Sequence, residues 1–123
     1  VANEKVYQLM AGSSLAEHPA LMKDVSHARI TFWWNRAVDI IPTDGGKGRG
    51  IEKMLEYYHF DKSQAMAFGD GNNDIEMLKS VGHGVAMANA SDDLKKIGKV
   101  ITKSNTEDGV AYGIQKYITD SPF

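Results

Sequence analysis

From about Thr43 onward the sequence predicts an α/β fold, a parallel sheet flanked by helices. Three short apolar segments, "AMAFGD", "GVAMA" and "KVIT", alternate with stretches whose apolar residues recur at helical spacing. Such alternation is the pattern of strand–helix–strand crossovers. Residues before about Pro42 lack it and read as part of something else. The boundary is therefore set there, dividing the chain into 1–42 and 43–123.

The run "KVYQLMAG" (Lys5 to Gly12), closed by Gly-Ser, reads as a strand. Ser13 or Ser14 can cap a helix to about Val25, with Leu15, Leu21, Met22 and Val25 on its apolar side. "ARITFWWN" and "AVDIIP" are β-branched and aromatic, giving two strands or one bent one. At strand alternation Trp33 and Trp34 face opposite sides, so one is expected in the core and the other exposed or covered by a partner. "TDGGKGRG" reads as a loop, with Lys47 where the next helix starts. That helix carries Ile51, Met54, Leu55 and Tyr58. "AMAFGD" is a buried-type strand ending at Gly69-Asp70, and Ile75, Leu78 and Lys79 open another helix. "GVAMA" follows as a strand. Ser91 starts a short helix with Leu94 and Ile97 inward. "KVIT" is the third strand, and Val110, Ile114, Tyr117 and Ile118 mark a final amphipathic helix.

Composition narrows the classes. The 123 residues are 42% hydrophobic and 24% charged, ordinary for a globular chain and contrary to disorder. A net charge of −2 gives no case for nucleic acid or for an acidic membrane surface. No apolar run approaches the ~18 residues of a membrane helix, and nothing near Val1 resembles a signal peptide. There are no cysteines, hence no disulfides and no thiolate metal site, which fits the expected cytoplasmic location. The four histidines have no ligand spacing and read as surface or loop residues. The chain does not begin with Met, which fits a processed product or a fragment.

The chemistry concentrates in "AFGDGNNDIEML", residues Ala67 to Leu78. In open α/β sheets ligands sit beyond the carboxyl ends of the strands. Asp70 falls at such an end, and Asp74 on the first turn of the next helix. Two hard oxygen donors without nearby His or Cys favour Mg²⁺ over zinc. Asn72 and Asn73 can donate amide hydrogens to an anion or brace the loop. A plain helix cap would also use Asp and Asn in this position. A calcium loop does not fit, because Ile75 stands where such a loop needs Gly and Val81 where it needs Glu. Lys47 in "GGKGRG" can offer a compact positive charge to a phosphate, although the spacing is not that of a Walker loop.

With Lys47 and "GDGNNDIEML" both in place, the sequence resembles the haloacid dehalogenase superfamily, and more closely its Cof-type phosphatases. The resemblance extends over "VDIIPTDGGKGRGIEKML", "VGHGVAMANA" and "TEDGVAYGI". It implies the second half of a Rossmann-like core at 43–123, preceded at 1–42 by the C-terminal part of an α/β cap that covers substrate. It also implies that Asp70 and Asp74 hold Mg²⁺, Asp70 the more directly, and that Lys47 offsets charge on the phosphate and nucleophile. Asn73 would contact the phosphate or orient its loop, with Asn89 at the rim. The family's reaction is phosphoryl transfer to an aspartate, then hydrolysis, on small phosphorylated metabolites. Two positions depart from the pattern: Ala88 stands where Gly is frequent, and "IGKVIT" lacks the usual Ala-Asp.

The nucleophile is missing. The family carries it as Asp-x-Asp, and no aspartate here has another two positions on. The chain thus reads as the C-terminal portion of a larger phosphatase, inactive alone, with "AMAFGD" left with an open edge. Self-association or pairing with an absent N-terminal segment is expected at such an edge. The rival reading is a non-catalytic metal- and phosphate-binding or regulatory module.

Overall fold

A computed structural model describes residues 3–120. These form two units that part between Gly46 and Lys47. The turn after Pro42 stays with the first unit because Gly45 N–H donates to the Pro42 carbonyl at 2.9 Å and Arg29 Nη2 donates to the Gly45 carbonyl at 2.9 Å.

The first unit is a three-stranded antiparallel sheet in the order β1-β3-β2, built from β1 (Leu9–Gly12), β2 (Ala28–Trp34) and β3 (Ala37–Pro42). The "ARITFWWN" and "AVDIIP" segments are two strands of a hairpin, paired from Ala28↔Pro42 to Trp34↔Ala37. β1 begins at Leu9, later than the sequence suggests. Its pairing runs from Gly12↔Ala37 to Leu9↔Ile40. Thr43 N–H donates to His27, on the β2 side. The alternating N–H at position 42 would face β1, and proline has none.

The helix expected to reach Val25 is much shorter. Ser14 donates its N–H (2.7 Å) and hydroxyl (2.8 Å) to the Glu17 carboxylate, which holds that carboxyl below its usual range. A 3₁₀ turn at Leu15–Glu17 leads into α1 (His18–Leu21), and Asp24 then takes a left-handed φ of 62° that ends helical geometry. The tryptophans also differ from expectation. A register shift between Phe32 and Trp34 breaks the two-residue alternation. Both rings are about half exposed (51% and 54%) and stack with centroids 6.3 Å apart.

The second unit is the α/β one. Its parallel sheet has the order β4-β5-β6, from β4 (Met66–Gly69), β5 (His83–Ala86) and β6 (Val100–Ile101). Among the described residues β4 has a strand neighbour on one side only, so its other edge is open. The helices are α2 (Lys47–Tyr58), α3 (Ile75–Lys79), α4 (Asp92–Ile97) and α5 (Gly109–Ile114), the last continued by a π-helical turn, Gln115–Asp120. Leu78, Val81, Ala86, Met87 and Leu94 form the core with Ala67 and Ala90, and Ile51, Phe68 and Ile75 pack against it. Asp61 accepts the Ser63 N–H at 2.9 Å, which keeps its carboxyl low and caps the 3₁₀ turn before β4.

Two findings here correct the sequence reading. α2 starts at Lys47 and absorbs "KGRG" into the helix. Gly48 is buried against α3, where a Cβ would lie 2.8 Å from Ser80 Oγ and 3.0 Å from the Glu76 carbonyl oxygen. Close helix approach, not loop flexibility, explains that glycine. In α5 the buried positions are Gly109 and Gly113, whereas Val110, Ile114 and the following Ile118 are exposed. The glycines let the helix backbone sit close to its neighbours, and the apolar stripe faces outward.

Candidate active site

The site is built at the carboxyl end of β4. After Gly69 the chain turns through Asp70 and Gly71 into a 3₁₀ turn, Asn72–Asp74, and then α3. Such a turn leaves backbone donors without helical partners. Asp74 satisfies two of them: its Oδ2 accepts the N–H of Asp70 at 3.0 Å and of Gly71 at 3.2 Å. Gly69 makes room for this, since a Cβ there would come within 2.7 Å of Asp74 Cβ. The other oxygen, Oδ1, accepts from Lys47 Nζ in an ion pair. Asp74 is only 4% exposed, with three protein donors on its two oxygens. Lys47, at the first position of α2, keeps half of its side chain in solvent.

Asp70 is the contrasting carboxylate. It is exposed, and its Oδ2 accepts from Asn89 Nδ2 at 3.3 Å. Asn89 lies in the loop after β5, and its Oδ1 accepts the Asn105 N–H at 2.9 Å. Asn73 is half-buried, and its amide makes no hydrogen bond among the described residues. Lys47, Asp70 and Asp74 share one open cleft of about 410 Å³, with Phe68, Met77, Met87 and Val110 as its apolar walls.

The structure therefore brings Lys47, Asp70 and Asp74 together in one cleft. Lysine is paired with the buried carboxylate, and the exposed one is left for solvent or ligand. Sequence inspection missed Ser91 as part of the site. It does cap α4, accepting the Leu94 N–H at 3.3 Å, but its hydroxyl also donates to Asn72 Oδ1 at 2.5 Å. Its N–H donates to the Asp70 carbonyl at 3.0 Å. Only the neighbouring positions of β4 and β5 bring these distant residues together, and no sequence spacing signals it.

The donor set fits part of a Mg²⁺ shell. It is all oxygen, and Asp70 offers an accessible carboxylate at a strand end. Among the described residues no group of three or more His, Cys, Asp or Glu could hold a metal ion. Further oxygens would have to come from water, from phosphate or from residues beyond those described.

The fold is that of an open parallel α/β sheet, and the cleft lies at a strand's carboxyl end, where such sheets place ligands. The sequence model of the haloacid dehalogenase-like hydrolases matches residues 2–114, and the chain belongs to that family. It is 40% identical over 120 residues to a 5-amino-6-(5-phospho-D-ribitylamino)uracil phosphatase of Bacillus subtilis, covering 94% of this chain and 42% of that protein. It is 42% identical over 88 residues to a protein from the pdhA 5′ region of Geobacillus stearothermophilus, covering 72% of this chain and 93% of that one. A solved structure of a phosphatase of this superfamily from Bacteroides thetaiotaomicron superposes with a TM-score of 0.85 at 29% identity, covering 94% of this chain and 43% of that chain. The chain thus spans less than half the length of those two phosphatases. Among the described residues no helix is long and apolar enough to cross a membrane.

Proposed function

We propose that these residues carry the cation- and phosphate-binding half of a Mg²⁺-dependent phosphomonoesterase acting on small phosphorylated metabolites. One observation carries the reading: the Lys47 ammonium rests on buried Asp74 beside exposed Asp70, in one strand-end cleft. The second unit serves as the C-terminal half of the core and the first as part of a cap. The B. subtilis relative named for a phosphoribityl substrate supports a phosphate ester of a small metabolite.

Asp70 is the direct cation ligand. Asp74 serves the ion indirectly, by setting the Asp70 backbone and the Lys47 ammonium. Lys47 pairs with phosphoryl oxygens as a point charge. Asn73, whose amide makes no hydrogen bond among the described residues, adds one to the same group, and Asn89 stands at the rim beside Asp70. Mg²⁺, when bound, supplies positive charge against the phosphoryl oxygens and holds groups in line. The attacking carboxylate belongs to an aspartate outside this chain. Its oxygen forms a bond to phosphorus as the ester oxygen leaves, and water then releases phosphate from the aspartyl-phosphate.

The test compares this chain with a form extended upstream of Val1, on an aryl phosphate with Mg²⁺. The extended form should turn over and lose activity in Asp70→Ala. The 123-residue chain should not. Robust hydrolysis by the short chain, abolished by Asp70→Ala, overturns the division of labour. An inactive extended form that still binds Mg²⁺ and phosphate supports the second reading, a non-catalytic binding or regulatory module. The absence of any Asp-x-Asp in the sequence favours that reading.

A further inference from the structure

Asn89 makes the two oxygens of the Asp70 carboxylate inequivalent. A backbone N–H, that of Asn105, donates to one end of the Asn89 amide at 2.9 Å, and only the oxygen can accept it. That bond orients the group, so the nitrogen is the end facing Asp70 Oδ2, at 3.3 Å. The Asp70 backbone is pinned alongside, through its carbonyl and Ser91 N–H. Loops after β4, β5 and β6 thus converge on one carboxylate. Among the described residues a protein donor occupies Oδ2, and none occupies Oδ1.

We propose that Asn89 is a positioning residue that sets cation preference at Asp70 by keeping this carboxylate monodentate. The proposal rests on the reading of Asp70 as a cation ligand. Mg²⁺ is near-octahedral and needs few protein oxygens, whereas Ca²⁺ takes about six to eight and uses carboxylates in bidentate fashion as well. A donor on Oδ2 leaves Oδ1 open for the Mg²⁺ mode and competes with Ca²⁺ for the second oxygen. Asn89 acts through Asp70, with a protein partner at each end of its amide.

The test is titration of the purified chain with Mg²⁺ and, separately, with Ca²⁺, read by amide NMR at Asp70, Gly71 and Asn89. Wild type is compared with Asp70→Asn, Asn89→Ala and Asn89→Asp. Asp70→Asn should abolish both responses. No saturable Mg²⁺ response in wild type, or one that survives Asp70→Asn, overturns the cation reading and this inference with it. Asn89→Ala should move the ratio of the two dissociation constants toward Ca²⁺ by roughly three- to tenfold, the range of one net hydrogen bond. Asn89→Asp retains an acceptor for the Asn105 N–H but loses the donor, and it should move the ratio the same way. It also serves as the reporter if the Ala variant does not fold. An unchanged ratio in both, with Asp70→Asn still abolishing binding, refutes the role of Asn89 and leaves the cation reading standing. A shift in the Ala variant alone assigns Asn89 to bracing its loop and refutes the proposal as well.

Discussion

Replacing Asp74 by Asn should destabilise the second unit, while the same change at Asp70 should not. Asp74 Oδ2 holds two backbone N–H groups at 3.0 and 3.2 Å in a buried position. Hydrogen bonds to a charged acceptor are worth about 1.5–3 kcal/mol and neutral ones about 1. An amide oxygen in the same place therefore gives up about 2 kcal/mol over the two. The Lys47 pair adds only about 1 kcal/mol, because half of the lysine side chain is in solvent and screened. The expected total is about 3 kcal/mol, or a melting shift of roughly 10–20 °C for a unit of this size. The Asp70 side chain is exposed and, among the described residues, makes one hydrogen bond, at 3.3 Å, so Asp70→Asn should stay within about 0.5 kcal/mol. Urea and thermal unfolding followed by circular dichroism decide between them. Equal losses at the two positions, or a loss below about 1 kcal/mol for Asp74→Asn, would refute the assignment of a structural and a ligand-facing carboxylate.

Gly48→Val should cost about 2 kcal/mol by forcing α2 off Ser80 and Glu76, visible as a lower urea midpoint. Light scattering on the purified chain should give a mass above the 13.5 kDa monomer, since β4 has an open edge among the described residues; a well-behaved monomer contradicts this. Ser104 donates its hydroxyl at 2.5 Å and its N–H at 3.2 Å to Glu107, holding that carboxyl below its usual range. A lowered folded value contributes stability above the unfolded value and loses it as pH falls through the folded one. Glu107→Gln should therefore lower the urea midpoint at neutral pH and match wild type in acid. Trp33→Ser should raise the exposure of Trp34 to an aqueous quencher, as the two rings stack at 6.3 Å.

Some of this was open to reading from residues alone. Three apolar runs at strand length between helical periods yield a parallel sheet, because burial on both faces demands uninterrupted apolar strands. The Ser91 cap and inward Leu94 follow from local chemistry and appear as read. The failures share a different cause. The α1 extent, the Trp33–Trp34 alternation and the outward Val110, Ile114 and Ile118 were all judged from periodicity. They were decided by a left-handed Asp24, a bulge and two buried glycines. Gly48 was misjudged as loop because its reason is a neighbour, Ser80, that is distant in the chain.

By itself the sequence determined the α/β class of the second unit and the residue types that meet at the end of β4, since those depend on local order and spacing. Only the tertiary structure decided how the charges divide. Which carboxylate is buried under Lys47 and which faces solvent depends on α2 docking beside the turn. Asp70's link through Asn89 to Asn105 depends on adjacent strands bringing separate loops together. Hydrogen bonds between groups so distant along the chain have no periodic trace, because their geometry exists only after the sheet has formed.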